Sequence, residues 1–428
     1  MKVAFHTLGC KVNQYETAAI AEQFQDKGYQ VVEEQDVADV YVINTCTVTG
    51  LADRKSRQFI RRAKKVNPES IVAVTGCYAQ LAAEEIAQIP EVDIIAGTNE
   101  KHRLLDYITD FRCDDDNIHV RQRQELATYE EQSLRHGMGD RTRAYIKIEE
   151  GCDRFCSYCV IPYARGPVRS RTKEAILQEA KTLVSQGYRE ITLTGINTAL
   201  YEDLPGLLQE IETIEGDFRI RLSSLEPTVV NKDFVKKLFP FTKLCHHLHL
   251  SMQSGSDKIL HAMNRKYTRE EYFAIADQLR EFDPLYGITT DIIAGFPGET
   301  EGDFADSLEA IHRCDFAKVH GFRYSERPGT KAAAMKGKVD PALRKERVSK
   351  LTDQGDRVAT EFFKKHIGTV QKVIFETGSN DADGFVAGYA DNYVKVYHQW
   401  QPEITQGFYR VRITGLYKDG ITGKIVIE

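Results

Sequence analysis

Over the first hundred residues, short apolar runs alternate with stretches whose apolar positions recur every three or four residues, the signature of strands feeding amphipathic helices. The runs at 3–8, 29–33, 40–44, 71–75 and 92–96 predict strands, and 16–27, 52–65 and 80–88 predict the helices between them. Ile20 and Phe24 share one face of the first helix, and Gly28 suits its C-terminal cap. This alternation predicts an α/β domain built on an open parallel sheet. Residues 113–140 lose the periodicity and predict a polar linker containing Asp114-Asp115-Asp116.

The alternation resumes with strands predicted at 144–148, 191–194, 219–223, 248–252, 289–293 and 319–324. A helix is predicted at 173–186, with Thr172 as N-cap and Gly187 past its end. Six such units are fewer than a closed eightfold barrel needs, so a partial (β/α)6 barrel is expected, its site at the C-terminal strand ends. From about residue 366 glycine-punctuated runs at 370–376, 385–389, 393–397, 407–414 and 424–427 predict a small antiparallel β-barrel. The predicted division is 1–135 (linker included), 136–365 and 366–428.

Composition changes this picture little: 428 residues, 42% apolar and 28% charged, describe an ordinary globular chain and exclude disordered or fibrous classes. No apolar run is long enough for a membrane helix, and residues 1–8 enter a strand with no charged-then-apolar leader. The expectation is a cytoplasmic protein without a membrane partner, where grouped thiols mean metal or catalysis rather than disulfides. A net charge of −6 places any nucleic-acid contact on local patches. One candidate is the helix carrying Arg54, Lys55, Arg57, Arg61, Arg62, Lys64 and Lys65, with no acidic residue from 54 to 65.

The nine cysteines carry most of the chemistry. Cys152, Cys156 and Cys159 can turn three thiolates to one point from a single loop, and soft thiolates select zinc or iron–sulfur clusters. No fourth cysteine or histidine stands nearby, so a four-iron cluster there keeps one iron open. Cys10, Cys46 and Cys77 each follow a predicted strand, which carries them to the rim where parallel sheets bind ligands. Gly9 and Gly76 let the chain turn just before two of them. They predict a second three-thiolate cluster, the alternative being three small buried hydrophobes. Cys113, Cys245 and Cys314 show no ligand spacing.

On the barrel rim, Thr194, Gly195, Asn197, Ser223, Glu226, Ser251, Gln253 and Asp291 are candidate cofactor contacts, Glu226 as a carboxylate for an ammonium or ribose. His246, His247 and His249 lie too tightly along one strand to converge on a metal. Arg165, Arg169 and Arg171 follow the cysteine loop and suit phosphate or carboxylate, unless they are plain surface arginines. In the last module Tyr393 and Lys395 alternate with Val394 and Val396, a face suited to RNA or simply to a scaffold.

The segments Thr7-Leu8-Gly9-Cys10-Lys11-Val12-Asn13-Gln14, Asn44-Thr45-Cys46-Thr47, Thr75-Gly76-Cys77-Tyr78 and the Cys152–Cys159 loop, with Tyr158 before its last cysteine, resemble the radical S-adenosylmethionine methylthiotransferases. The resemblance spans three parts: a three-cysteine domain, a radical domain and a TRAM-like barrel. It implies two [4Fe–4S] clusters, on Cys152/Cys156/Cys159 and on Cys10/Cys46/Cys77, with S-adenosylmethionine contacted by Tyr158 and the rim residues. The implied partners are the anticodon stem-loop of tRNA and an electron donor such as flavodoxin or ferredoxin, with the sulfur donor left open. Leu8-Gly9-Cys10-Lys11-Val12-Asn13 is similar to the branch that places a methylthio group on carbon 2 of threonylcarbamoyladenosine beside the anticodon. The alternatives are isopentenyladenosine in tRNA, a ribosomal protein, or a non-catalytic RNA-binding metalloprotein.

Overall fold

The computed structural model describes residues 1–112, 115–137, 142–381, 383–405 and 407–426, the side chains of 377–380 excepted. Cys113, Asp114 and the end of the predicted 424–427 strand lie outside the described residues. The chain opens with an all-parallel sheet of β1 (Lys2–Thr7), β2 (Gln30–Val32), β3 (Val40–Thr45), β4 (Ile71–Gly76), β5 (Ile94–Ala96) and β6 (Ile118–His119), in the order β2-β1-β3-β4-β5-β6. Every residue of β3 is buried because helices cover both faces of the sheet. α2 (Gly50–Val66) matches the pattern closely, while α1 (Lys11–Asp26) begins five residues before the expected 16–27, directly after Cys10. The helix expected at 80–88 instead starts at Cys77 and breaks at Ala82 into α3 (Cys77–Leu81) and α4 (Ala83–Ala87).

The residues read as a linker form a strap. Leu126 and Leu134 are buried, Tyr15 Oη donates to the Gln132 carbonyl (2.6 Å), and Arg171 pairs with Glu131 and bonds Ser133 (2.6 Å). Two apolar anchors and side-chain bonds to distant elements leave no periodicity to read.

Six parallel strands make the central half-barrel: β7 (Arg143–Lys147), β10 (Glu190–Thr194), β11 (Arg219–Leu222), β12 (His247–His249), β13 (Gly287–Ala294) and β14 (Lys318–Arg323). Bridges Ile220–Leu244 and Leu225–Leu250 join its two ladders. Between β7 and β10 a clip of β8 (Glu149–Glu150) and β9 (Arg169–Ser170) brackets the cysteine loop and α5 (Ile161–Arg165). Alternate positions Ile191, Leu193, Ile220 and Leu222 pack outward into the main apolar core. Glu190, Thr192, Thr194, Arg219 and Arg221 are also buried but polar. Arg219 and Arg221 share Glu190 (2.7 and 2.9 Å) and donate to the Tyr389 and Asp391 carbonyls of the last module (3.0 and 2.9 Å). Gly287 allows that close seat, since a Cβ there would meet the Asn392 carbonyl oxygen at 1.9 Å.

The last module is a closed barrel of β15 (Val370–Asn380), β16 (Phe385–Ala390), β17 (Lys395–Gln399), β19 (Gly420–Ile425) and β18 (Phe408–Tyr417). It is not wholly antiparallel as expected: β17 and β19 pair in parallel, Val396 opposite Ile421. A closed ring of five strands cannot alternate direction at every step, so one neighbouring pair must run the same way.

Candidate functional site

The loop from Gly151 to Cys159 is held at both ends. Gly151 turns at φ +86°, where a Cβ would lie 1.9 Å from the Pro167 carbonyl oxygen, and Cys152 N donates to the Gly166 carbonyl (3.1 Å). Ser157 bonds the Ala262 carbonyl through its hydroxyl (2.8 Å), and Asn264 Nδ2 donates to the Phe155 carbonyl (3.0 Å). Burial pushes the Cys152 and Cys159 thiols up to about 12 and raises Cys156, and for Cys152 and Cys159 neighbouring thiols of the loop add to the rise. The three thiols of this loop are buried enough that ionisation is disfavoured in each. Tyr158 Oη accepts from Arg265 (3.0 Å), and its ring meets Phe296 edge-on.

Beside this loop the structure redistributes the expected roles. Glu226 pairs with Arg154 (2.8 Å) and Arg265 (3.1 Å), so its charge is already balanced. Ser223 Oγ donates to Thr194 Oγ1 (3.3 Å), leaving these two hydroxyls bonded to each other. The acceptor that sequence reading missed is Glu149, just ahead of the loop. It takes the Asn197 backbone N–H (2.9 Å), sits where a Gly195 Cβ would come within 2.7 Å, and burial pushes its carboxyl well up. Glu149 Oε1 and Asn197 Oδ1 are buried acceptors without a protein partner. The acidic pair Glu149-Glu150 ahead of Gly151-Cys152 is the signal that could have found it, though only the structure tells which of the two stays open.

The other three cysteines follow β1, β3 and β4 at the same rim of the first sheet, Cys46 and Cys77 buried and Cys10 exposed. Asn13 Nδ2 ties two of the turns by donating to the Leu8 (2.7 Å) and Thr45 (3.0 Å) carbonyls, and Thr45 Oγ1 reaches the Thr75 carbonyl (2.6 Å). A Cβ on Gly9 would lie 2.9 Å from Cys46 Cβ, and one on Gly76 2.3 Å from the Thr45 carbonyl oxygen. Burial, reinforced by Cys77 and Cys10, pushes Cys46 up to about 12.

Arg165, Arg169 and Arg171 do not reach the surface. Arg165 is completely buried and donates to Cys77 Sγ (3.1 Å), Glu16 (2.6 Å) and Glu150 (3.1 Å). Arg169 bonds the carbonyls of Leu126 and Arg165, and Arg171 is shared by Glu131 and Glu179. Arginine beside proline and glycine reads as a loop, but Glu16 and Glu131, which pair with Arg165 and Arg171, lie far off in sequence. Tyr393 is spent at the seam between barrels, stacked on His247 (4.7 Å) with Arg221 over its ring, and Lys395 pairs with Asp419 (3.3 Å).

A cleft of about 190 Å³ opens between the segment just past Cys46 and Tyr158 of the other cysteine loop. Val48 and Thr49, just past Cys46, form one wall; Tyr158, Gln253, Asp291, Ile293, Phe322 and Tyr324 form much of the other. Val48 and Phe322 are 56% and 47% exposed at its lip. Arg327 fixes the walls together through Asp53 (2.7 Å) and Thr47 (2.6 Å).

Residues 2–97 match the model of an uncharacterized protein family, UPF0004, and residues 146–311 match the radical SAM superfamily. The chain is 42% identical to the threonylcarbamoyladenosine tRNA methylthiotransferase MtaB of Bacillus subtilis, over 96% of this chain and 93% of that protein. It is 35% identical to the tRNA-2-methylthio-N(6)-dimethylallyladenosine synthase of Moorella thermoacetica, over 95% and 94%. The chain belongs to the radical SAM methylthiotransferases. Its fold is also similar to the radical S-adenosylmethionine methyltransferase TsrM of Kitasatospora setae, with TM-score 0.58 at 14% identity over 78% of this chain and 74% of that one.

Membership makes the chain a radical enzyme that transfers sulfur-containing groups, and implies a [4Fe–4S] cluster and S-adenosylmethionine. The residues present suit both: three free thiols on one loop for iron, and two partnerless buried acceptors near them for an ammonium. The methylthiotransferase also gathers a group that sequence spacing hid. His249, Asp291 and His320 bring their ligand atoms within 4.8 Å of one another on β12, β13 and β14, because Asp291 and His320 are register partners. Among the described residues no helix is long and apolar enough to cross a membrane.

Proposed function

We propose that the chain methylthiolates carbon 2 of N6-threonylcarbamoyladenosine beside the anticodon of tRNA. The observation that carries this reading is the cleft whose walls each follow from a three-cysteine group, Val48-Thr49 on one side and Tyr158 on the other. Cys152, Cys156 and Cys159 would hold one [4Fe–4S] cluster and Cys10, Cys46 and Cys77 a second. When bound, the first with S-adenosylmethionine supplies hydrogen abstraction and the second the sulfur.

The chain's own part is placement. Glu149 Oε1 and Asn197 Oδ1 accept the ammonium of S-adenosylmethionine, and Gly195 leaves room for it. Tyr158 and Gln253 wall the cofactor side, with Asp291 a hydrogen-bond acceptor. Val48 and Phe322 offer apolar surface for a base swung out of its stack, which chemistry on carbon 2 requires. The exposed cations of α2 (Arg54, Lys55, Arg61, Arg62 and Lys65) start beside this lip and suit the RNA backbone. A TRAM-like role in RNA contact for residues 366–428, a division near 135 and 365, a flavodoxin- or ferredoxin-type donor and a cytoplasmic location complete the reading. Isopentenyladenosine stays as the second substrate because a dimethylallyladenosine synthase aligns over the same length.

The test pairs two variants with mass spectrometry of tRNA nucleosides. Cys152→Ala should abolish cofactor cleavage. Cys46→Ala should keep cleavage and lose methylthio-threonylcarbamoyladenosine. Full product from Cys46→Ala would sink the two-cluster reading; product only on isopentenyladenosine would move the substrate to the second branch.

A further inference from the structure

Arg165 lies in the first turn after the radical-cluster loop, yet its Nε points at Cys77 of the other group, 3.1 Å from the sulfur. Around it, Arg165, Lys101 and Lys147 bond to Glu16 and Glu150, all at most 7% exposed. Lys101 also donates to Asn44 (3.1 Å), and Arg165 Nη2 bonds Asn13, the asparagine that ties the Cys10 and Cys46 turns. Three cations sharing two carboxylates leave the buried network with one excess positive charge. Burying an unmatched charge is costly, so a further anion belongs in this network. The atom in place to carry it is the Cys77 sulfur.

We propose that Arg165 is a positioning residue for the second iron–sulfur cluster, donating to the Cys77 thiolate and holding the cluster's reduction potential up. The inference rests on the cluster proposed for Cys10, Cys46 and Cys77. A cationic donor at a cluster sulfur stabilises the more negative, reduced state, because it gains more from each added electron. The same side chain joins the two cysteine groups mechanically, since its backbone lies six residues after Cys159 while its guanidinium grips the first domain. Removing its charge leaves Lys101 and Lys147 to balance Glu16 and Glu150, so a neutral replacement should fold while the thiolate loses its counter-charge.

The experiment uses the full chain with Cys152, Cys156 and Cys159 changed to alanine, so that only the second cluster loads. Iron and sulfide are counted after anaerobic reconstitution, and the cluster is titrated with the electron paramagnetic resonance signal as readout. Adding Arg165→Gln should shift the reduction equilibrium at least tenfold toward the oxidised form, ~59 mV for a one-electron couple. Arg165→Lys, which keeps charge but loses the Nε donor, should fall between. If Arg165→Gln does not fold or load, Arg165→Lys decides alone: a lower potential supports the role and an unchanged one overturns it. A loaded Arg165→Gln cluster at the parent's potential overturns this proposal and spares the two-cluster reading. No iron or sulfide in the triple-alanine parent overturns both.

Discussion

Alanine at Gly9 offers a direct test of whether the first cysteine group is a built cluster cradle. Gly9 has φ +105°, which an L side chain rarely adopts, and holding a non-glycine residue there costs about 1–3 kcal/mol. The added Cβ would also lie 2.9 Å from Cys46 Cβ and 3.0 Å from its sulfur, where ordinary contact starts at 3.4 Å. Relief therefore needs a shift of about 0.4 Å (3.4 − 3.0), larger than the roughly ±0.2 Å that metal–ligand distances allow. Gly28 is the control: its φ is +81°, but nothing lies within 4 Å of a Cβ there, so alanine pays the backbone strain alone. Both variants are reconstituted anaerobically, melted, and assayed for iron, sulfide, S-adenosylmethionine cleavage and methylthio product. Gly28→Ala should keep about eight irons, on two four-iron clusters. Gly9→Ala should keep about half of them and its cofactor cleavage, and lose product. If Gly9→Ala carries the full complement and makes product like Gly28→Ala, the contact with Cys46 does not set the cradle.

Three further outcomes follow from the same geometry. Phe322→Ala should leave cofactor cleavage intact and lower kcat/KM for tRNA by about tenfold to a hundredfold, the worth of one base stack at ~1–3 kcal/mol, and no change would remove Phe322 from the substrate wall. Arg61→Ala with Arg62→Ala should weaken tRNA binding and make the log–log salt slope shallower by about 2; an unchanged slope would place the RNA on another face. Burial alone would raise the Glu16 carboxyl, but Arg165, Lys101 and Lys147 outweigh it and hold Glu16 well below the usual carboxylate range. Its folded-state pKa is thus depressed, so its stabilisation is present above about 4.5 and lost as pH falls below that value. Melting temperature should drop on acidification more steeply in the parent than in Glu16→Gln, and equal slopes would refute the coupling.

The sequence carried the fold well where one residue type repeats a position. Cys10, Cys46 and Cys77 could be placed on one rim because each follows a strand of a parallel sheet, and parallel strands all end on the same side. The six strands of the half-barrel were legible for the same reason, their apolar alternation being strong. What stayed hidden depends on pairing across distance. Arg165 reads as a loop arginine until Glu16 and Glu150 are known to surround it. His249 reads as one of three crowded histidines until strand register sets Asp291 beside His320. Glu226 looks free until Arg154 and Arg265 close on it, while Glu149, with no motif of its own, keeps an oxygen open. The strap from 120 to 137 reads as a tether because its anchors, Leu126 and Leu134, are too few to make a period.

That strap also decides how the molecule can be cut. A fragment severed near residue 135 would carry Glu131 and Ser133 away with the first sheet and strand the buried Arg171 guanidinium on the other piece with Glu179 alone. Tyr15 would lose Glu179 in the same cut. The two pieces are therefore expected to be poorly soluble apart and to reassemble only if expressed together. The spacing between the cysteine groups is inherited as one unit, and neither half could readily be traded for a relative's by recombination at the visible joint.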